Sequence, residues 1–278
     1  MAKPRLGQHF LTDVSFLRPI LDAAEITAQD AVVEVGPGKG ILTKALCAQA
    51  GHVLALELDE RLANMLHERL GKKENLEVRL QDARRVDWAQ IASTLRARGF
   101  QQVKMVSNLP YYLATQMVIH ALAAPQGCDR LVVMVQDEVA RRMAAGPGGR
   151  EYSAYSVALQ YYGVPQYIIK VPPGAFNPPP KVSSAVVRID RRAQPPVALN
   201  NPDEFFFIVH AMFTHRRKTI RRCLQGSAGV PAQAAWDQGL ERAGIDPQRR
   251  PETLSLEEMA RLVNGLDVGA DSHVHPEL

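Results

Sequence analysis

The stretch SNLPYYLAT at 107–115 holds the residues whose types and spacing could do chemistry. The exocyclic amine of adenine is a weak nucleophile, because its lone pair is delocalised into the ring. Two acceptors placed on its two N–H groups favour a pyramidal nitrogen and stabilise the positive charge that builds during attack. The side-chain oxygen of Asn108 and the carbonyl of Pro110, either side of Leu109, can form that pair, and Tyr111 can stack on the base. No general base need act before transfer, since the proton can leave from the cationic product. Catalysis would then rest on positioning and electrostatics. The same residues also suit a plain Asn–Pro turn with an aromatic plug, which in isolation is the commoner use.

What could receive the attack depends on a second group of residues. VEVGPGKGILTKAL at 33–46 carries a glycine turn, Gly36, Gly38 and Gly40, where backbone can approach a ligand because no Cβ intervenes. Glu57 follows Gly40 by 17 residues, with Leu58 and Asp59 after it. A carboxylate there can accept hydrogen bonds from both ribose hydroxyls of a nucleoside cofactor. The turn reads G-x-G-x-G rather than G-x-G-x-x-G, and Glu34 precedes it. An acid in that place suits a cofactor with cationic groups, a sulfonium and an amine, better than a pyrophosphate. In QDA at 81–83, Asp82 could accept the cofactor's adenine amine while Ala83 donates a backbone N–H to its ring. Singly, the turn could be a structural βα loop, and Glu57 or Asp82 a helix cap. Together at successive strand ends they point to S-adenosylmethionine, with no metal called for.

These groups need elements to hold them. Apolar runs at 31–35, 53–57, 76–80, 103–107 and 131–136 read as strands, separated by stretches of helical length such as 59–71 and 87–98. Continuous apolar strands alternating with helices predict an α/β fold with a parallel sheet covered on both faces. Two more strands, 167–171 and 185–190, are joined by a Pro-rich loop that allows an antiparallel pair. The pattern breaks near 191–204, and 203–225, 231–243 and 255–265 then read as helices. The expected organisation is a catalytic domain over 1–192, a helical RNA-binding domain over 193–268 and a flexible tail over 269–278. Every motif then falls at the carboxyl end of a strand, where open α/β sheets bind ligands.

Composition sets the outer limits. The chain of 278 residues is 46 % hydrophobic and carries a net charge of +4, with no apolar run long enough to span a membrane. The N-terminal segment lacks a secretory pattern. Cys47, Cys128 and Cys223 are widely spaced, which fits buried thiols in a reducing cytoplasm better than a disulfide framework. Between Phe205 and Trp236 there is no Asp or Glu, yet Arg216, Arg217, Lys218, Arg221 and Arg222 crowd together. On a helix from about 214, Arg217 and Arg221 would lie one turn apart, as would Lys218 and Arg222. Such repulsion is relieved by a polyanion; a solvated face is the blander alternative.

With these motifs read, the chain resembles the ribosomal RNA adenine dimethyltransferases, in particular their bacterial small-subunit branch. The resemblance runs in order through GQHFL (7–11), VEVGPGKGILT, ELDE (57–60), QDA, NLPYYL, FNPPPKVSSAVV (176–187) and FTHRRKTIRRCL (213–224). It implies a Rossmann-like class I methyltransferase with a seven-stranded, mostly parallel sheet and a small C-terminal helical domain. It further implies a GQHFL segment that closes over the cofactor through His9 and Leu11, and Phe176 as a second aromatic against the target base. Lys181 joins the five basic residues as an expected RNA contact. The implied reaction is S-adenosylmethionine-dependent N6,N6-dimethylation of two adjacent adenosines in a hairpin near the 3′ end of 16S rRNA. The implied partner is the small ribosomal subunit, with a monomeric enzyme and no membrane. The chain departs from the family pattern at Asp137, Ser153 and Ser183, away from the proposed chemistry. Rival readings are a methyltransferase acting on large-subunit rRNA and an assembly factor that binds immature subunits. A nicotinamide-dependent dehydrogenase fits worst, because the glycine spacing is wrong for it.

Overall fold

The structure is a computed structural model that describes residues His9–Leu266. The tail expected at 269–278, and Gly7 and Gln8 of the GQHFL segment, lie outside the described residues. The chain forms two compact units: one takes residues up to Ala144 together with Gly163–Arg191, the other Ala145–Tyr162 and the chain from Arg192 onward.

In the first unit, β1 (Phe10–Leu11) is followed by α1 (Leu17–Ala24), β2 (Asp30–Val35), α2 (Ile41–Leu46), β3 (His52–Glu57), α3 (Glu60–Leu70) and β4 (Leu76–Leu80). There follow α4 (Trp88–Ala97), β5 (Gln102–Asn108), α5 (Ala114–Ala123), β6 (Arg130–Gln136) and α6 (Asp137–Ala144). After an excursion into the other unit the chain returns as β7 (Gly163–Val171), β8 (Phe176–Asn177) and β9 (Ser184–Arg191). Seven strands form one sheet in the order β4-β3-β2-β5-β6-β9-β7, while β1 and β8 pair separately. The five strands from β4 to β6 run parallel, and β9 lies antiparallel to both β6 and β7.

Burial follows position in the sheet. Every residue of β2 and β3 is buried, which explains the apolar runs Ala31–Val33 and Val53–Leu56 at their centres. At the edge, β7 alternates between buried or half-buried and exposed positions. Two strand-to-helix junctions are closed by aspartates: Asp59 accepts from the Arg61 amide and Asp87 from the Gln90 amide, capping α3 and α4. At the end of the sheet away from the glycine turn, Lys104 Nζ lies 2.8 Å from Asp30 Oδ2, both side chains being at most 5 % exposed. The ammonium also donates to the Glu25 carbonyl, and Asp30 accepts from the Thr27 amide, so the buried charges are paired and further hydrogen-bonded. Because strand order reverses between β2 and β5, a crevice opens there at the carboxyl ends of the strands.

The second unit contains α7 (Ala154–Tyr162), α8 (Pro202–Thr214), α9 (Gln233–Ala243) and α10 (Leu256–Asn264). Two expectations need correction. Residues 145–162 belong to this unit rather than to a continuous 1–192 domain, because Tyr152, Val157 and Tyr161 pack into one core with Phe205, Val209, Trp236 and Met259. The helix expected to run to 225 ends at Thr214. Beyond it the backbone is claimed elsewhere: the Ile220 amide donates to the Arg249 carbonyl, Arg221 to Pro247, and Trp236 Nε1 to the Ile220 carbonyl. Arg217 and Arg221 therefore do not share a helix face.

Candidate active site

The glycine turn forms one wall of the crevice. Gly36, Gly38 and Gly40 have φ of +68°, +55° and +79°, left-handed values that glycine adopts without strain. Contact reinforces conformation at Gly38, where a Cβ would lie 2.9 Å from two ring carbons of Phe10. The Gly36 amide donates to the Leu56 carbonyl, and the Val35 amide to the buried Ser107 hydroxyl at 2.9 Å, fixing the turn to β3 and β5.

Carboxylates stand around this turn in three different states. Glu57, 4 % exposed, accepts from the backbone amides of Gly38, Leu58 and Asp59. Its oxygens are thereby aimed along the end of β3. Glu34 is 2 % exposed, and its Oε2 has no hydrogen-bond partner among the described residues. Burial pushes its carboxyl up to about 8, the charge of Glu57 adds to the rise, and the nearby Thr43 hydroxyl offsets part of it without meeting hydrogen-bond geometry. Asp82 caps a short helical turn over Ala83–Arg85 and is gripped by Arg84, with Nη2 at 2.6 Å from Oδ2. That guanidinium holds the Asp82 carboxyl below the usual carboxylate range. Asp82 is therefore both a cap and a wall of the crevice; the two uses read from the sequence are not exclusive.

Opposite stands the loop that leaves β5. Leu109 and Leu113 are buried anchors, and the Leu109 amide donates to the Met134 carbonyl. Between them the chain displays Pro110, Tyr111 and Tyr112, with Asn108 just ahead. Asn108 Nδ2 donates to the His9 carbonyl at 3.2 Å, which leaves Oδ1 as a free acceptor among the described residues. The Pro110 carbonyl accepts from the Leu113 amide at 2.9 Å, so one of its two lone pairs closes the turn and the other remains. The Tyr111 hydroxyl meets the Ser184 hydroxyl at 2.7 Å, and its ring lies 5.9 Å from that of His9.

The segment from His9 closes the crevice on one side. His9 Nδ1 donates to the Pro178 carbonyl at 2.8 Å, and β1 pairs antiparallel with β8. One cavity is thus lined by His9, Leu11, Glu34, Gly36, Gly38, Glu57, Leu58, Asp82, Ala83 and Asn108–Tyr111, joining residues from five separate motifs. Phe176 is not brought to this wall. It pairs with Leu11 across β1 and β8 and is packed into the core with Val132, Met134 and Val171, 4 % exposed. Sequence reasoning passed over three contributors: Ser107 under the turn, Phe10 on Gly38 and the exposed Tyr112. All three lie inside motifs read from the sequence, SNLPYYLAT and GQHFL.

None of the basic residues expected to meet RNA lines this cavity. Arg217, Lys218, Arg221, Arg222 and Lys181 are exposed, and Arg216 donates to the Arg150 carbonyl. Arg221 has an acid after all: Asp237 sits 2.9 Å from its Nη2, just beyond the acid-free stretch.

The parallel sheet with its antiparallel end, the crevice at its switch point and the helical second unit define a Rossmann-like class I methyltransferase. The family described as ribosomal RNA adenine dimethylase matches residues 1–267, and the chain belongs to it. Among its relatives, the ribosomal RNA small subunit methyltransferase A of Pelotomaculum thermopropionicum is 45 % identical over 269 residues, covering 95 % of this chain and 91 % of the relative. The protein of the same name from Enterococcus faecalis is 42 % identical, covering 95 % and 90 %. Of solved structures, the 23S rRNA methyltransferase ErmE is 27 % identical with a TM-score of 0.70, covering 93 % of this chain and all of that one. A dimethyladenosine transferase from Plasmodium falciparum shares the fold at a TM-score of 0.77, covering 91 % and 96 % at 24 % identity.

Proposed function

We propose that this enzyme transfers methyl groups from S-adenosylmethionine to N6 of two adjacent adenosines near the 3′ end of small-subunit rRNA, two methyls to each. The observation that carries the chemistry is the Asn108–Tyr111 loop. It faces the glycine turn across one cavity, with the Asn108 oxygen unpaired and a Pro110 lone pair free among the described residues. Two acceptors on the amine favour attack on a sulfonium methyl, which the cofactor supplies when bound. Glu57 would hold the ribose, Glu34 would lie near the cationic end, and Asp82 with Ala83 would meet the adenine. His9 and Leu11 would close over the bound cofactor, and Leu58 would pack on it. The residues present fit the group: a buried, unpartnered Glu34 oxygen in the wall is a site for a cation.

The choice of small-subunit rRNA is supported by identity above 40 % to several small subunit methyltransferases, against 27 % to the 23S enzyme. Arg216, Arg217, Lys218, Arg222 and Lys181 would contact phosphates, which position an RNA without specifying its sequence. A cytoplasmic monomer suits an enzyme that docks on a ribosomal particle, and no helix among the described residues is long and apolar enough to cross a membrane. The test is transfer of labelled methyl from S-adenosylmethionine to undermethylated small subunits, followed by nucleoside analysis. Dimethyladenosine at two adjacent small-subunit positions is expected. Label confined to large-subunit RNA would reassign the substrate. Tight subunit binding without label would favour the assembly-factor reading.

A further inference from the structure

Two neighbouring tyrosines on the catalytic loop are treated differently by the fold. Tyr111 is half-buried, its hydroxyl tied to Ser184 and its ring beside His9. Tyr112 also lines the mouth of the cavity, yet it is 69 % exposed and makes no hydrogen bond or ring contact among the described residues. Such a large side chain gains little for folding when left in water. The loop nevertheless presents it rigidly, because Leu109 and Leu113 on either side are buried to 1 % and 8 % exposure. The same mouth presents one exposed cation, Lys39.

We infer that Tyr112 is a positioning residue that stacks on the nucleotide flanking the target adenosine, outside the pocket. The inference rests on the reading of this cavity as a base-methylating site. A base drawn into the pocket leaves its neighbour without a stacking partner. An exposed aromatic at a pocket mouth that also presents an exposed lysine supplies one without regard to base identity. Where two adjacent adenosines are modified in turn, the flanking base at the first event is itself the next target. Tyr112 then holds the second adenosine at the mouth while the first is methylated.

The test compares wild-type enzyme with Tyr112→Ala, Tyr112→Phe and Tyr112→Trp on undermethylated small subunits. A hairpin RNA carrying 2-aminopurine beside the target adenosine serves as a second substrate. Wild-type enzyme should quench the 2-aminopurine on binding, and Tyr112→Ala should not. KM for RNA should rise roughly 10-fold in Tyr112→Ala, within the range for loss of one base–aromatic stack, with S-adenosylmethionine affinity unchanged. Tyr112→Phe and Tyr112→Trp should restore both. Equal KM and quenching in wild type and Tyr112→Ala would overturn the inference, as would failure of Tyr112→Phe to rescue or a weakened cofactor affinity. Absence of adenine methylation by the wild type would instead defeat the underlying reading of the site.

Discussion

Single residues in the crevice carry more than one duty, and their effects separate by assay. Asn108 gives its amide nitrogen to the His9 carbonyl and keeps its oxygen for substrate. Asn108→Ala should lower kcat roughly 100-fold, the scale of removing one preorganised partner of a developing charge. Cofactor affinity should fall only modestly; an N108A rate within twofold of wild type would sink the acceptor-pair account. Gly38→Ala tests the opposite wall. With φ at +55° and the Phe10 ring 2.9 Å from where the new Cβ would stand, both backbone and ring must shift. Calorimetry should show at least a tenfold rise in the cofactor Kd, whereas wild-type affinity would show that Phe10 yields freely. At this scale the sequence was informative wherever a residue type has few uses. Gly36, Gly38, Glu57 and Asn108 all reached the cavity. Phe176 did not: its ring is buried in the core of the first unit, and no local pattern separates a core aromatic from one that faces a site.

At the level of elements, the strands were legible because burial on both faces demands continuous apolar stretches, such as Ala31–Val33 in β2 and Val53–Leu56 in β3. The segment after α8 was not. HRRKTIRR has helical spacing and no breaker, but the amides of Ile220 and Arg221 are used by the carbonyls of Arg249 and Pro247, far along the chain. The consequence for RNA binding is specific. Arg217, Lys218 and Arg222 have no acidic partner among the described residues, whereas Arg221 is neutralised by Asp237. Each phosphate contact contributes about 0.9 to the slope of log K against log salt on a duplex and about 0.7 on a single strand. Replacing Arg217, Lys218 and Arg222 together with Gln should therefore flatten the slope by roughly 2 to 3. Arg221→Gln alone should change it far less. An unchanged slope in the triple variant would return the loop to a solvated surface, and a large change from Arg221→Gln would mean that RNA displaces Asp237.

For the whole molecule, a mild net charge of +4 conceals two carboxyls with opposite demands on pH. Which unit a segment joins was equally hidden: residues 145–162 are apolar enough for either core, and only the partners of Tyr152 and Tyr161 assign them. Glu25 bridges Arg130 and Arg188, whose hydrogen bonds hold its carboxyl near 2 instead of 4.5. Its contribution is present above pH 4.5 and is lost as pH falls toward 2; the side chain is 58 % exposed, so solvent screening keeps it small. Glu34 runs the other way. Its folded value of about 8 lies above the ordinary 4.5, so its proton stabilises the ligand-free fold fully below pH 4.5. That contribution drains away as pH rises to about 8. A bound cation beside Glu34 favours the charged form, so cofactor binding should expel this proton. The ligand-free wild type should accordingly lose Tm between about pH 5.5 and 8.5, and Glu34→Gln should flatten that limb. Calorimetry at about pH 7 in buffers of different ionisation enthalpy should show up to one proton released on binding S-adenosylmethionine, fewer for the demethylated product, which has lost the sulfonium charge, and a smaller release in Glu34→Gln. Equal release in wild type and Glu34→Gln would mean that another group titrates, and that the unpartnered oxygen in the wall of the cavity does not sense the cofactor's charge.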